Sequence, residues 1–409
     1  MDFVQYKQVF TCLYNNYIPK PKVKLKAYLA VIDKIETQFL SMKEKACIKL
    51  IKSLRLSIYH SLAGSYHEIS FLKSDKLTGL PRMFGPEIGR QVFHGDRDTI
   101  RLLLTVLQLS YLITTDLDPD VKAITARSKA DPELIQEMTQ WIKDYSNRLI
   151  TPEVDFAGWI EPHLTSSSGP LGPALWTALN EIPLIPEGLS RDLDILGGET
   201  FSVWFKETKE TQSMQLDLKA AIVSSTQDLP SEGRKKGSKR EAIKPPVSRT
   251  SLRRLAAIPA PEAKTRVIAL LDYWSQTVLK PLHDWSFDLL KQFPSDMTFN
   301  QGGVVSVLSS KRQLNSFDLS SATDRFPIDL QEALLSNLIG SERSAAWRRI
   351  LVGYEFTTAW DNSKYKYEVG QPMGAYSSWS TFALTHHLVV HFSAFKNNIS
   401  VGEFRDYVL

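Results

Sequence analysis

Residues Gln313–Gly340 read QLNSFDLSSATDRFPIDLQEALLSNLIG. The first part is strand-like and is expected to end near Asp318. Pro327 suits the first turn of a helix, Asp329 and Glu332 favour the same N-terminal end, and Gly340 suits the far end. This reading places Asp318 at the C-terminal edge of a strand and Asp324 in the turn before a helix. Ser320, Ser321 and Ala322 separate them, small enough for backbone or ligand to approach closely. A strand-end carboxylate is a natural ligand for a hard divalent cation, and Mg²⁺ takes one or two carboxylates plus substrate phosphates. Taken alone, a D-x5-D pair also fits a helix cap and a surface acid.

Two further stretches carry chemistry. Val369–Phe395, VGQPMGAYSSWSTFALTHHLVVHFSAF, puts a Gly/Pro loop (Gly370 to Gly374) and two serines ahead of a long apolar helix. Ser377 or Ser378 is placed to cap that helix, and such a loop can present amides and hydroxyls to a phosphate or sugar. A plain loop with a capped helix fits as well. His387 and His391 stand four apart, but no Glu follows His387, so the metalloprotease pattern fails and both read as packing or surface histidines. In Pro259–Trp285, PAPEAKTRVIALLDYWSQTVLKPLHDW, Lys264 and Arg266 flank Thr265 and fall on one face of a strand. Two cations on one face suit a triphosphate, or a solvent-facing edge.

The rest of the chain bounds these readings. Its 409 residues leave room for two or three packed units. A net charge of +4 does not by itself indicate a nucleic-acid binder. Cys12 and Cys47 form no CxxC pair, which argues against a disulfide framework or a zinc knuckle. Leu102–Thr115 is the longest apolar run and is too short to span a bilayer, and the N-terminus lacks the apolar core of a secretory signal. Residues 1–150 read as a mostly helical N-terminal region, with Asp131 and Pro132 opening one helix. Residues 151–233 form a second region and 255–409 hold the three stretches above. Between them, 234–254 is a basic linker or arm carrying Arg234, Lys235, Lys236, Lys239, Arg240, Lys244, Arg249, Arg253 and Arg254. Such a segment is a solvated loop, or an arm that neutralises phosphates and orders on RNA.

In order and spacing, the three stretches resemble the polymerase motifs of mitovirus RNA-dependent RNA polymerases, and more distantly the narnavirus and levivirus group. KTRVIALLDYWSQTVLKPLHDW resembles motif F and its following segment, FDLSSATDRFP motif A, and GQPMGAYSSWSTFALTHH motif B. The likeness is strong from about 253 to 409. It implies an α+β, mainly helical right-hand polymerase fold, with fingers and a partial palm. It implies RNA template and product and nucleoside triphosphates as partners, with Mg²⁺, or Mn²⁺ in its place, as cofactor. Asp318 matches the motif A metal ligand and Asp324 the residue that senses the ribose 2′-hydroxyl. Gly374, Ser377 and Ser378 match the motif B loop, and Lys264 and Arg266 the motif F cations that hold the triphosphate. Arg234, Lys235, Lys236, Lys239, Arg240, Arg253 and Arg254 are the expected RNA contacts, and a host mitochondrion is the implied location.

The last nine residues, VGEFRDYVL, look like the start of a buried strand. In the family such a strand runs into a Gly-Asp-Asp turn, motif C, whose aspartates complete the metal site. Neither that turn nor a thumb is present in the 409 residues. The expectations are a chain inactive by itself and an unmet pairing edge at Phe404–Leu409, beside the strand ending at Asp318, open to a second polypeptide carrying motif C and thumb. The alternatives are a non-catalytic, truncated or host-captured relic that at most binds RNA, and an unrelated basic RNA-binding protein. Lys264 and Arg266 are expected to face the same cavity as Asp318.

Overall fold

The computed structural model describes residues 3–17, 21–69, 72–113, 115–227, 251–309, 311, 313–400 and 407–409. Among these the chain is mainly helical with one small mixed sheet, as the α+β reading expects. It divides into two units, Met1–Pro119 with Ala257–Arg266, and Asp120–Ala256 with Val267–Leu409.

The first unit contains α1 (Phe3–Tyr17), α2 (Leu25–Ser41), α3 (Glu44–Leu62), α4 (Pro86–Phe93) and α5 (Arg97–Val106). Apolar residues three and four apart give each long helix one buried stripe: Tyr28, Val31, Ile32 and Ile35 on α2, and Cys47, Ile51, Leu54 and Ile58 on α3. Asp96 caps α5 by accepting the Thr99 N–H. The tip of the hairpin formed by β1 (Arg254–Ala260) and β2 (Lys264–Leu270) also belongs to this unit. Two of the three residues joining these strands, Glu262 and Ala263, have φ of 64° and 53°, left-handed geometry that L-residues adopt at a cost. Glu262 is held there by Arg55, by Lys52 at 2.8 Å and by the Ser110 hydroxyl at 2.9 Å. Burial pushes its carboxyl up, but hydrogen bonds from Lys52, Arg55 and Ser110 outweigh burial and bring it down to about 2.

The second unit adds α6 (Lys122–Thr125), α7 (Pro132–Leu149), α8 (Ala174–Glu181), α9 (Glu187–Gly197), α10 (Glu199–Gln227), α11 (Tyr273–Leu290), α12 (Gly303–Leu308), α13 (Ala322–Arg325), α14 (Ile328–Ile339), α15 (Ser341–Val352) and α16 (Ser378–Lys396). With β3 (Phe356–Thr358) and β4 (Lys364–Tyr365) the sheet order is β2-β1-β3-β4. β1 runs parallel to β3, Leu255 opposite Thr358, and β3 antiparallel to β4, Phe356 opposite Tyr365. Helix α14 packs on α7, α15 and α16, while α11 packs on α16. One core centres on Trp274, Trp347, Phe201, Phe205 and Phe356; a second joins Trp141 and Ile142 to Leu334, Leu384 and Phe392.

The apolar stripe of α7 (Met138, Trp141, Ile142) is buried against Leu330, Ala333 and Leu334 within the second unit. Two expectations change. Arg253, read as part of the basic arm, is 2% exposed. It faces Asp272 at 3.8 Å, donates to the Ser275 hydroxyl at 3.2 Å and lies over the rings of Tyr354 and Phe356. A buried guanidinium needs a buried partner, and Asp272, which caps α11, is that partner. Finally, residues 313–319 form no strand: every one is exposed, and none of the described backbone pairs with them. An extended segment becomes a strand only when a neighbour takes up its N–H and C=O groups.

The anchoring of the hairpin tip is testable. Because the Glu262 carboxyl is lowered, its stabilisation is present above the unfolded value of 4.5 and is lost as pH falls through about 2. Glu262→Gln is therefore expected to cost about 1–2 kcal/mol at pH 7. The gap between the two melting curves should close as pH drops toward 2.

Candidate functional site

The site is built on a backbone junction within the second unit. Gly370 N–H donates to the Asp324 carbonyl (3.0 Å), Gln371 N–H to the Thr323 carbonyl (3.0 Å), and Ile328 N–H to the Val369 carbonyl (2.9 Å). The two chains lie so close that a Cβ on Gly370 would run into the Thr323 oxygen and the Asp324 backbone. The segment around Asp324 and the loop opening at Gly370 are thus one piece of structure. Ser321, with φ of 53°, makes the turn into α13, and the Arg325 guanidinium ties that helix to the Ala126 and Arg127 carbonyls of the α6 exit.

The loop that follows is pinned from several sides. Gly374 is exposed, has φ of 112°, and a Cβ there would sit 2.6 Å from the Ala269 oxygen of β2. Ala269 N–H donates to the Met373 carbonyl at 2.8 Å. The Gln276 side chain donates to the Gly374 carbonyl and accepts from the Tyr376 N–H, both at 2.9 Å. Ser377 is wholly buried in the left-handed region, φ 64°. Its N–H donates to His283 Nδ1 (3.2 Å) and its hydroxyl accepts from Trp347 Nε1 (2.9 Å). Ser377 therefore holds the start of α16 without the side-chain cap expected from the sequence. Ser378 is 5% exposed and its carbonyl accepts from Gln371 Nε2.

The two acids differ sharply. Asp324 is 9% exposed, and its Oδ1 has no hydrogen-bond partner among the described residues. Burial pushes its carboxyl up to about 6, against the opposing charge of Arg325. Asp318 lies in the exposed segment, at no strand end. No cluster of three or more His, Cys, Asp or Glu that could hold a metal ion occurs among the described residues.

Lys264 and Arg266 are exposed on one face of β2, while Thr265 points the other way and accepts the Asp118 N–H at 2.9 Å. Both cations belong to the first unit, whereas Asp318, Asp324, Gly374, Ser377 and Ser378 belong to the second. Arg254 lies on β1 and reaches the Pro170 carbonyl. Arg234, Lys235, Lys236, Lys239, Arg240 and the rest of 234–250 fall outside the described residues, as does Phe404. At the end of the chain, Leu409 exchanges backbone hydrogen bonds with Ser295 (3.0 Å) and Met297 (2.8 Å). His387 and His391 pack as expected. His387 contacts Asp296 (3.0 Å) and the Tyr407 hydroxyl (2.9 Å), and that hydroxyl also meets His391 (3.1 Å).

Sequence reasoning missed Gln276, His283, Trp347, Gln331 and Gln371. Each acts through a partner 30 to 100 positions away, and no local pattern signals such a pair. Among the described residues no helix is long and apolar enough to cross a membrane.

The sequence model of the mitovirus RNA-dependent RNA polymerase family matches residues 158–409. The RNA-directed RNA polymerase of Cryphonectria parasitica mitovirus 1 is 35% identical over 168 residues, 38% of this chain and 19% of that protein. Two uncharacterized mitochondrial proteins of Arabidopsis thaliana are also similar. One is 32% identical over 114 residues (26% of this chain, 45% of that one), the other 34% over 112 residues (25% and 54%). The chain thus spans between about a fifth and about half of the length of these relatives. No solved structure matches.

The Asp324 carboxyl gives a sign-definite prediction. Its value is raised above the unfolded 3.8, so the penalty for holding it is absent in acid, grows as pH rises from 3.8 to about 6, and is complete above that. Asp324→Asn is expected to raise unfolding free energy by about 2–3 kcal/mol at pH 8. Denaturant melts at about pH 3.5, below the unfolded value, should show no difference.

Proposed function

The chain belongs to the mitovirus RNA-dependent RNA polymerase family, and from that premise we propose that it carries the fingers and part of the palm of an RNA-directed RNA polymerase. Motif F is Lys264–Trp285, motif A Phe317–Pro327 and motif B Gly370–His387. The observation that carries this reading is the backbone junction between Thr323–Asp324 and Gly370–Gln371. Two stretches nearly fifty residues apart meet, and these are the two that resemble the motifs lining a nucleotide site.

Each residue then has a role that its environment supports. Asp318, exposed and unburdened by burial, holds Mg²⁺ or Mn²⁺ with water and substrate phosphates as the other ligands, a coordination Mg²⁺ accepts. When bound, the metal supplies charge neutralisation on the triphosphate. Asp324 offers its unpartnered oxygen to the ribose 2′-hydroxyl. Gly374 lets the loop backbone approach closely, the Ser377 hydroxyl is taken by Trp347, and Ser378 holds the loop through its carbonyl, which accepts from Gln371. Lys264 and Arg266 bind the triphosphate. Arg234, Lys235, Lys236, Lys239, Arg240 and Arg254 contact RNA phosphates; Arg253 has no part in this. Catalysis needs a Gly-Asp-Asp segment and thumb in addition to residues 1–409. Names of relatives favour a mitochondrial setting. The same plant similarity favours a second reading, a host-resident, polymerase-derived protein that binds RNA without synthesis.

The decisive experiment is reconstitution. The chain is mixed with a polypeptide running from motif C through the thumb, RNA template, nucleotides and Mg²⁺. Synthesis is expected only in the mixture and should fall by at least about a thousandfold with Asp318→Ala. Robust synthesis by residues 1–409 alone would overturn the reading, and a mixture that binds RNA without ever extending it favours the second one.

The basic segment makes a separate prediction. Changing Arg234, Lys235, Lys236, Lys239 and Arg240 to Gln should flatten the slope of log K against log salt for single-stranded RNA by about 3.5, at about 0.7 per phosphate. An unchanged slope would identify the segment as a solvated loop.

A further inference from the structure

Gln331 and Gln371 are both completely buried, forty positions apart, and meet amide to amide. Gln371 Nε2 donates to Gln331 Oε1 at 2.6 Å and to the Ser378 carbonyl at 2.8 Å. The Thr381 hydroxyl lies 3.1 Å from the same Gln331 oxygen and 2.8 Å from the Ser377 carbonyl, two acceptors that share its one proton. The backbone N–H of Gln371 is the one that reaches Thr323. One residue therefore connects the Asp324 segment through its main chain, and α14 and the first turn of α16 through its side chain.

Stability alone does not explain the pair. Gln331 Nε2 and Gln371 Oε1 have no hydrogen-bond partner among the described residues. A buried polar group left unpaired is unfavourable, and two apolar side chains of the same shape would fill this place without that loss. A polar pair does set one geometry. An amide accepts a neighbour only over a narrow range of distance and angle, whereas apolar contacts slide.

We propose that Gln371, through Gln331, is the positioning residue of the nucleotide site. It fixes the Gly370–Ser378 loop against Thr323–Asp324 so that the Asp324 carboxylate keeps a single orientation, and it thereby sets the preference for ribonucleotides over deoxyribonucleotides. This rests on the polymerase reading above. The proposal separates two quantities. Attraction for the triphosphate is a matter of charge and does not depend on the amide pair. Discrimination at the sugar depends on one hydrogen bond to a charged group, and that bond is lost when the carboxylate can tilt.

The test is calorimetric titration of the 409-residue chain with Mg·ATP and Mg·dATP. The wild type should bind ATP about tenfold or more tightly than dATP. The double variant Gln331→Leu/Gln371→Leu removes both amides together. It should keep the wild-type affinity for dATP while the ATP:dATP ratio falls to between about one and two. Gln331→Glu, isosteric and still offering an acceptor oxygen to Gln371, should stay within about twofold of the wild-type ratio. Should the double variant fail to fold, Thr381→Val deletes one hydrogen bond of the network at constant shape and must lower the ratio about threefold. A folded double variant with the wild-type ratio, an unaltered Thr381→Val in its place, or a wild type that binds both nucleotides equally, overturns the positioning role and leaves the polymerase reading standing. A wild type that binds neither nucleotide overturns both.

Discussion

Gly370 has no space for a side chain, and the candidate site follows from that. Its backbone lies directly on Thr323 and Asp324. Once those chains touch, the Gly370 and Gln371 N–H groups have carbonyl partners, which satisfies backbone groups that burial would otherwise strand. The same contact carries the chain on to Gln371, whose side chain meets α14 and α16. A side chain at position 370 would separate the two segments of this junction and undo both effects at once.

A second constraint runs through the β1–β2 hairpin, which is held at both ends by charge. At the tip, Glu262 sits in a left-handed turn among Lys52, Arg55 and Ser110. At the root, Arg253 precedes β1 and Asp272 follows β2, both buried, with Glu181 close by. Glu181 accepts the Tyr273 N–H at 2.7 Å, yet burial and the charge of Asp272 hold its carboxyl well above the ordinary range. The raised Glu181 carboxyl favours its neutral form beside the Arg253–Asp272 contact. Breaking such a pair from one side leaves a bare charge in the core.

What was legible in the sequence was local. The helix after Pro327, ending at Gly340, follows from a proline and a glycine at its two ends, and Asp131 caps α7 by accepting the Glu133 N–H as its position suggests. The shared face of Lys264 and Arg266 follows from strand alternation. What failed depended on partners. The strand before Asp318 needs a neighbouring backbone, and Arg253 resembles its basic neighbours until Asp272, nineteen positions away, is folded beneath it. Ser377 had a side chain suited to capping, but Trp347 takes its hydroxyl. In each case a residue that can bond locally is claimed by a distant partner that only the tertiary structure brings close.

Two titratable groups at the loop and its junction, Asp324 and His283, show how one cause can act in opposite senses. Burial favours the neutral form of any group, so it raises Asp324 to about 6 and lowers His283 from 6.5. For His283 the lowered value has a structural use. Its Nδ1 accepts the Ser377 N–H, which requires a bare ring nitrogen there; burial is the main pressure against a second proton, with the charge of Asp284 favouring one and that of Lys280 opposing it. For Asp324 the rise stops short of neutrality: at pH 7 a carboxyl at about 6 is still mostly ionised. At that pH the site therefore keeps a neutral acceptor under the loop and a charged one at the junction. The first holds the backbone; the second is left with an unpartnered oxygen to offer a donor.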